Sequence, residues 1–475
     1  MLKYQLITSI LLTMQFNEIY EECGVFAIQN NNHAAVNCIL GLHALQHRGQ
    51  ESFGIVTSED NKLYCHYSNK QVNSIFNQQP KIDSLLGETA IGHIRYSTSG
   101  SKVGVQPITL DCKFGKLAIA HNGNLINAVQ IRKLLTERGC IFSSDIDTEV
   151  IAHLIAINTQ DTLLNNIIDA LKTIKGAYSL IILINGTIIC CRDPAGIRPL
   201  VLGILDNSYI VASETCSLDI VGAQFVRDVL PGEFITIDKN NSLISSFPFK
   251  KQKSSFCIFE YVYFARPDSI IGNKSIYEIR KNIGKELAIE YPAPKDTHMV
   301  VPVPDSGVPA ALGFAEYTKI PFEFGIVRNH YIGRTFIQPN DYIRSMGVKL
   351  KHNANSSILK DKIIILIDDS LVRGTTLKSI ITLLHKAGVK QIHLRISSPP
   401  TVNSCFYGID TPEESKLIAN RLSQSEIKDT LGCDSLYFLS IDGLYKAICN
   451  TKRNNTLPQY CDACFTGDYP IGKME

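Results

Sequence analysis

The sequence has 475 residues, of which 45% are hydrophobic and 19% are charged, and its formal net charge is +2. That length allows two or three domains with ample cores, and the small net charge predicts no bulk attraction to nucleic acid or to an anionic membrane. The 14 cysteines follow no convincing secretory signal, so we expect a reducing compartment, with free thiols or metal ligands in place of disulfides.

The first 22 residues contain one short apolar run, Leu6 to Met14, which is too short to span a bilayer and lacks a cleavage site of small residues after it. Cys23 then opens an alternating segment, CGVFAI, that predicts a strand. If residues 1–22 are removed as a propeptide, the thiol and a free α-amine with a pKa near ~8 share one residue, and the amine can serve as general base. A cysteine at a strand start is more often part of a core, so this segment alone does not identify a nucleophile.

Three further segments carry groups that an enzyme hydrolysing glutamine needs. Arg95 follows a strand-like run and suits an α-carboxylate, Asn122-Gly123 is predicted to form a turn that could face an oxyanion, and Asp147 begins a predicted helix and suits an α-ammonium. Each has a structural alternative, as a surface ion pair, a hairpin turn and a helix cap respectively. Their combination with Cys23 favours the catalytic interpretation.

Together these segments resemble the class II glutamine amidotransferase domain, an N-terminal-nucleophile hydrolase with an αββα sandwich, over residues 23–245. The resemblance implies one role for each group: nucleophile, Cys23; oxyanion hole, Asn122 and the backbone of Gly123; glutamine binding, Arg95 and Asp147. Asp145 competes with Asp147, but the family pattern has the acid directly before Thr-Glu, which selects Asp147.

A basic, turn-rich stretch at 246–256 predicts a linker. After it, predicted helices and strands alternate, which indicates a parallel, doubly wound sheet with its ligand crevice at the carboxyl ends of the strands. The predicted elements are a helix at Ser275–Tyr291, a strand at Met299–Val303, a helix at Val308–Tyr317, a strand at Ile363–Ile367, a helix at Thr375–Ala387 capped by Gly388, and a strand at Gln391–Ile396.

The segment KIIILIDDSLVRGTTLK at 362–378 predicts a buried strand that ends in Asp368 and Asp369 and then turns into a helix near Thr375. Unpaired N–H groups at that helix start, with the hydroxyls of Thr375 and Thr376, can hold a phosphate. Burying two acidic side chains at the end of an apolar strand costs free energy unless they bind a cation or sugar hydroxyls. An ordinary capped turn explains the threonines but not the whole run.

This segment resembles the phosphoribosyl-pyrophosphate loop of type I phosphoribosyltransferases, which implies a second domain over 257–440. In that family the two acids hold the ribose and the loop holds its 5-phosphate. Ser306, in a second strand-to-helix transition at 301–313, joins the two acids as the predicted site of one Mg²⁺ per subunit. The implied contacts to phosphoribosyl pyrophosphate are Asp368, Asp369, Arg373, Gly374, Thr375, Thr376 and, on a basic segment at 329–351, Lys349. That segment is interpreted as a flap closing over pyrophosphate, with an exposed basic loop as the alternative.

From Cys23 to its end the chain resembles the amidophosphoribosyltransferase family, in its iron–sulfur branch, including ARPDS at 265–269 and GRTFIQP at 333–339. The resemblance implies the first committed step of purine synthesis, in which glutamine, phosphoribosyl pyrophosphate and water give phosphoribosylamine, glutamate and pyrophosphate. It also implies ammonia passing between two sites, feedback inhibition by purine nucleotides and a homotetramer.

Two alternatives remain at this point. One is an amidotransferase with another acceptor, whose second half would lack the 362–378 segment. The other is a non-catalytic sensor of phosphoribosyl pyrophosphate, which should carry a DNA-binding module and a basic face that the sequence does not show. A composition rich in Ile, Asn and Lys suggests an AT-biased genome, and hence bacterial cytoplasm or plastid stroma.

The tail, 441–475, contains Cys461 and Cys464 in a C-x-x-C spacing, which could form a redox pair or half a zinc site. The family resemblance adds Cys257 and Cys405. It implies one [4Fe–4S] cluster per subunit, held by these four cysteines and structural in role.

Overall fold

The computed structural model describes residues 20–21, 23–95, 104–329 and 352–473. The part of the predicted flap from residue 330 to 351, including Lys349, lies outside the described residues, as does nearly all of the predicted propeptide. Antiparallel sheets form the N-terminal domain and a parallel sheet forms the C-terminal domain. None of the helices in the described ranges is long and apolar enough to cross a bilayer.

The N-terminal domain is built mainly from strands. In chain order they are β1 Tyr20–Glu21, β2 Cys23–Ile28, β3 Ser52–Glu59, β4 Lys62–Ser68, β5 Thr89–Arg95, β6 Ile108–Cys112, β7 Gly115–Leu125, β8 Gly176–Ile184, β9 Thr187–Arg192, β10 Val201–Leu205, β11 Ser208–Ala212, β12 Gln224–Asp228, β13 Phe234–Ile237 and β14 Leu243–Ser246. The helices are α1 Ala34–Ala44, α2 Gln79–Asp83, α3 Ala128–Glu137, α4 Asp147–Ile157, α5 Leu163–Thr173 and α6 Cys216–Val221, with a 3₁₀ turn at Val72–Ile75.

These strands form two stacked antiparallel sheets. Within the described residues the first has the order β12-β10-β11-β2-β5-β3-β4 and the second the order β14-β13-β9-β8-β7-β6. Side chains such as Val25 and Ile91 from the first sheet meet Ala120 and Ile181 from the second in a dry layer. Helices α1 and α6 cover the outer face of the first sheet, and α3, α4 and α5 cover that of the second. The predicted αββα sandwich is therefore confirmed.

The predicted Asn122-Gly123 turn is wrong. Both residues lie within β7, where Asn122 pairs with Ser179 and Gly123 pairs with Tyr178 of β8. Gly123 has a φ of +144°, and a Cβ placed on it would lie 2.0 Å from the carbonyl oxygen of Ala177. The glycine thus permits close approach of two strands, a use of glycine that local sequence does not distinguish from a turn.

The C-terminal domain alternates strands and helices after a short π-helix, Glu260–Phe264. Its strands are β15 Ile270–Ile271, β16 Lys274–Ser275, β17 Met299–Pro302, β18 Ile326–Arg328, β19 His352–Ala354, β20 Ile363–Asp368, β21 Gln391–Ile396, β22 Ile409–Asp410 and β23 Ser435–Phe438. Its helices are α7 Ile276–Glu290, α8 Val308–Thr318, α9 Ser356–Leu359, α10 Thr375–Lys386, α11 Ile418–Arg421, α12 Gln424–Leu431, α13 Ile441–Cys449 and α14 Ala463–Thr466, with a 3₁₀ turn at Glu414–Lys416.

The parallel sheet has the order β17-β20-β21-β23 within the described residues. Ile365 and Ile367 of β20 pack with helices α7 and α8 on one face, while Ile364 and Leu366 pack with α10 on the other. Side chains of one strand therefore enter two cores, which explains its uninterrupted apolar sequence. The doubly wound sheet is confirmed, and the predicted helices and strands match the observed ones to within about one residue.

Candidate functional site

Cys23 is the first residue of β2, a central strand of the first sheet, and is buried. Its direct partner in the antiparallel pairing with β5 is Arg95. Directly opposed residues point to the same face with their Cβ atoms about 5 Å apart, so the thiol and the guanidinium side chain share one face of the sheet. Arg95 Nη1 donates to the carbonyl oxygen of Gly104 at 2.5 Å, which directs its side chain across the end of the strands.

Asn122 and Gly123 reach this region from the second sheet. The His93 imidazole on β5 donates through Nε2 to the carbonyl oxygen of His121 at 3.0 Å and so ties β5 to β7 across the sandwich. Asn122 is completely buried, and neither polar atom of its side chain has a hydrogen-bond partner among the described residues. Such a group is unfavourable for folding, which marks it as a candidate for binding a ligand.

Asp147 begins α4 beside the same strand. One of its carboxylate oxygens accepts from the backbone N–H of Leu125 at 3.0 Å, and the other lies 3.5 Å from Nδ1 of His121. Burial raises the pKa of Asp147, but His121 and the N–H of Leu125 outweigh burial, and the net pKa is lowered. The group is therefore an anion at neutral pH. Asp145, the sequence alternative, is exposed.

The structure brings the five predicted residues to one end of the sandwich through their strand register and through His93 and His121. Sequence reasoning assigned no role to these two histidines. His93 lies two residues before Arg95 on the same face of β5, and His121 directly precedes Asn122 on β7. These positions in the sequence could have identified both histidines.

A second group of polar residues lies at the carboxyl end of β20. Asp368 and Asp369 are both buried, and the hydroxyl of Ser370 donates to Asp369 at 2.5 Å. The hydroxyl of Ser306, at the start of α8, also bonds Asp369. Burial raises the pKa of Asp369, against the opposing effects of Ser306, Ser370 and the Arg280 cation. The carboxylates and the Ser306 oxygen form a set of hard oxygen ligands of the kind that Mg²⁺ binds.

The next turn leads into α10. Gly374 has a φ of +78° and is followed by Thr375 and Thr376, and no side chain caps the helix start. Backbone N–H groups of the first turn have no carbonyl partner within a helix, so this end of α10 offers donors and a positive dipole to an anion. Arg373, directly before the glycine, acts electrostatically on Asp410.

The two sites adjoin through the C-terminal domain segment that contains Phe406 and Gly408. The Asn124 side-chain amide donates to the carbonyl oxygen of Phe406 at 2.9 Å. A Cβ on Gly408 would lie 2.7 Å from Cα of Gly123, so this segment contacts the β7 backbone directly. Ile409 and Asp410 of the same segment form β22. This strand pairs with β1, the two-residue strand shortly before Cys23.

The four cysteines of the predicted cluster come from three separated segments. Cys257 and Cys461 form a parallel bridge, with the N–H of Cys461 donating to Phe256 and the N–H of Ile258 donating to Cys461. Cys464 accepts through its carbonyl from Val402 and Asn403, close in sequence to Cys405. Burial raises the pKa of Cys257 to about 12, and the pKa values of Cys461 and Cys464 are raised by burial and by the neighbouring thiols.

Three of these sulfurs accept a hydrogen bond from the backbone N–H of the residue two positions later in the chain. Tyr407 donates to Cys405 Sγ at 3.3 Å, and Phe259 and Ala463 donate to Cys257 and Cys461. As the side chains stand, no set of three or more His, Cys, Asp or Glu residues within the described ranges is arranged to hold a metal ion. The thiols therefore gather in one region without adopting ligand geometry.

Comparisons with known proteins cover both domains. The family model for the glutamine amidotransferase domain matches residues 93–219, and the model for the phosphoribosyl transferase domain matches residues 272–398. The amidophosphoribosyltransferase of Rhizobium etli is 47% identical over 464 residues, which cover 96% of this chain and 93% of the relative. The chloroplastic amidophosphoribosyltransferase 2 of Arabidopsis thaliana is 46% identical, and the match covers 96% of this chain and 80% of that relative.

Solved structures give the same result. The glutamine phosphoribosylpyrophosphate amidotransferase from Bacillus subtilis, complexed with ADP and GMP, has a TM-score of 0.89 and 43% identity, and the match covers 95% of this chain and 98% of that one. A solved structure of the allosteric regulatory enzyme of purine biosynthesis has a TM-score of 0.90 and 43% identity, covering 95% and 96%.

The unpartnered amide of Asn122 predicts an unusual stability effect. Asn122→Leu, which has a similar volume, should leave stability unchanged or raise it by up to about 1–3 kcal/mol, because it removes an unsatisfied buried group. The matched control is Asn166, equally buried, whose amide donates to Gln160 and Thr162 and accepts from the N–H of Gln160. Asn166→Leu should cost about 1–3 kcal/mol. Urea midpoints compare the two, and equal losses would mean that Asn122 serves the fold.

Proposed function

The chain belongs to the amidophosphoribosyltransferase family, and we propose which of its residues carry out the two half-reactions of that enzyme. The family reaction, which opens purine biosynthesis, joins the nitrogen of glutamine to phosphoribosyl pyrophosphate and gives 5-phosphoribosylamine. The observation that carries the assignment of residues is the presence of two buried polar sites in one chain, the unpartnered amide of Asn122 and the adjacent carboxylates of Asp368 and Asp369. The two alternatives, an amidotransferase with another acceptor and a non-catalytic sensor, are set aside because the chain matches this one family along nearly its whole length.

Glutamine is hydrolysed at Cys23 after loss of residues 1–22. The new α-amine accepts the thiol proton, and the sulfur attacks the carboxamide carbon. The Asn122 amide and the Gly123 N–H donate to the oxyanion that forms, ammonia leaves, and water hydrolyses the thioester. Arg95 binds the α-carboxylate of glutamine and Asp147 its α-ammonium. The buried, unpartnered Asn122 and the anionic Asp147 support this arrangement.

Phosphoribosyl pyrophosphate binds at the carboxyl end of β20. The 5-phosphate accepts from the first N–H groups of α10 and from the hydroxyls of Thr375 and Thr376, and Arg373 and Gly374 complete this loop. Asp368 and Asp369 hold the ribose, and Lys349 contacts pyrophosphate. Ammonia attacks the anomeric carbon as pyrophosphate departs. Mg²⁺ held by Ser306, Asp368 and Asp369 would neutralise charge on the leaving group, and the buried, raised-pKa Asp369 supports a cation there.

Ammonia passes between the sites inside the protein. The contact of Gly408 with Gly123 supports such a path, because it places the C-terminal domain directly against the strand that carries Asn122 and Gly123. The proposed domain limits are 23–245 and 257–440, with the tail at 441–475 following them.

One [4Fe–4S] cluster per subunit is held by Cys257, Cys405, Cys461 and Cys464. The fit is supported by four thiols from three segments gathered in one buried region and by backbone N–H donors already directed at three of the sulfurs, since such bonds stabilise thiolate ligands. Asp462 lies between two of these cysteines, and its carboxylate accepts from the Tyr445 hydroxyl at 2.7 Å and from Arg453 Nε at 2.6 Å. These bonds hold the tail backbone in place beside the thiols. When bound, the cluster would cross-link the domain junction to the tail, which is a structural role.

Regulation and assembly follow the relatives. We propose inhibition by purine nucleotides, supported by the ADP and GMP bound to the Bacillus subtilis enzyme, and a homotetramer. The proposed compartment is bacterial cytoplasm or plastid stroma, since relatives are found in bacteria and chloroplasts.

Two variants should separate the half-reactions. Cys23→Ser should abolish synthesis from glutamine and leave synthesis from ammonia intact, because it removes only the nucleophile. Asp369→Asn should cripple both, because it removes charge at the site that both nitrogen sources use. Phosphoribosylamine formation from each source is measured, with Asp361→Asn, an exposed acid at a turn, as control. Full glutamine activity of a chain still carrying residues 1–22 would contradict the assignment of Cys23.

The cluster has its own test. Protein purified without oxygen should be brown, contain iron and absorb broadly in the visible range. Cys461→Ser should bleach it and lower its unfolding midpoint, whereas Cys433→Ser, at a buried thiol outside the group, should leave the colour unchanged. A colourless protein containing one zinc and no iron would contradict the cluster while leaving the enzyme assignment intact.

A further inference from the structure

Glu260 is a fully buried carboxylate at the junction of the two domains, and it is the first residue of the π-helix Glu260–Phe264. It accepts from Arg48 Nη2 at 2.7 Å and forms an ion pair with Arg198, whose Nη2 lies 2.9 Å away; both arginines belong to the N-terminal domain. Arg48 is itself fully buried and also donates to the buried Glu214. Since breaking a buried pair leaves an uncompensated charge, these contacts fix Glu260 relative to the N-terminal domain.

The aliphatic part of Arg48 lies beside the strand that begins at Cys23. A Cβ placed on Gly24, the residue after the nucleophile, would lie 3.4 Å from Cδ of Arg48. The neighbouring Gly49 lies so close to β5 that its Cβ would be 2.6 Å from the backbone nitrogen of Arg95. A shift of Arg48 would therefore move the backbone beside Cys23 and beside the proposed ligand of the glutamine carboxylate.

The π-helix extends the connection towards the other site. Arg280 on α7 is buried and donates to the carbonyl oxygens of Tyr261 at 3.0 Å and of Ala265 at 2.7 Å. The Arg280 cation also acts electrostatically on Asp369. Buried hydrogen bonds thus connect Arg48 through Glu260 and the π-helix to Arg280, whose charge acts on the acidic loop.

We propose that Arg48 and Glu260 are positioning residues for glutamine hydrolysis, whose buried pair holds the Cys23 and Arg95 backbone in register with the Asp369 loop. The inference rests on the proposed function of those two sites and adds the residues that connect them. Neither residue contacts glutamine, phosphoribosyl pyrophosphate or a reacting atom in this arrangement. Their effect should therefore appear in substrate binding at the glutamine site.

A second buried carboxylate, paired with a partly exposed arginine, supplies the control. Glu233 is fully buried and accepts from Arg227 at 2.7 and 2.8 Å and from the N–H of Leu230 at 2.7 Å, but all three residues lie within the N-terminal domain. Loss of either carboxylate should therefore lower stability. Only the loss of Glu260 should disturb the glutamine site.

The experiment compares Glu260→Gln with Glu233→Gln in the full-length, matured enzyme. Both should lower the urea midpoint. With saturating phosphoribosyl pyrophosphate, only Glu260→Gln should raise the KM for glutamine, by roughly 10- to 100-fold, as expected for a small misplacement of binding groups. Synthesis from ammonia should be unchanged, because Arg280 bonds backbone carbonyls and not the Glu260 side chain.

Arg48→Lys keeps a positive charge but loses the forked geometry, so it should raise the same KM and serves if Glu260→Gln does not fold. An equal KM change in the Glu260 and Glu233 variants, or no change in either, would overturn the inference. Parallel loss of ammonia-dependent synthesis in Glu260→Gln would overturn it as well. Absence of glutamine-dependent synthesis in the unaltered enzyme would refute the proposed function, and this inference with it.

Discussion

The carboxylate of Glu260, enclosed by Arg48 and Arg198, constrains how the two domains can sit against each other. A buried charge deprived of its partner costs about 3–5 kcal/mol, so a displacement that separates these groups is strongly resisted. The cost is comparable to the whole stability of a small domain. These ion pairs and the close approach of Gly408 to Gly123 on β7 are separate contacts that join the two domains.

The two proposed sites and the cysteine region share one physical property: each contains polar or ionisable groups that are buried from water. Asn122 has a buried amide without a partner among the described residues, and the raised pKa of Asp369 reflects a carboxyl removed from water. Burial raises the pKa of the Cys461 and Cys464 thiols, and the neighbouring thiols of Cys257 and Cys405 raise it further. The proposed ligands, an oxyanion, a cation and iron, would each offset the cost of burying these groups.

Local sequence predicted the strand, the turn and the helix start of the segment 362–378 well, because these features are consecutive. It predicted the αββα sandwich only through family resemblance, since the sheet order depends on pairing between distant strands. The Asn122-Gly123 turn was wrong for the same reason: the close approach of Ala177 is not visible locally. The Arg48–Glu260 pair spans 212 positions, and no spacing rule reaches that far.

In the proposed reaction, nitrogen moves from Cys23 to the ribose inside the protein without entering bulk solvent. The direct measurement supplies amide-¹⁵N glutamine together with unlabelled ammonia, at a concentration at which synthesis from ammonia alone is slow, and determines the isotope in phosphoribosylamine. If the domains are joined as described, the product should carry ¹⁵N almost exclusively. Dilution of the label to the ratio in bulk solution would contradict the account, because it would show that ammonia released at Cys23 escapes before it is used.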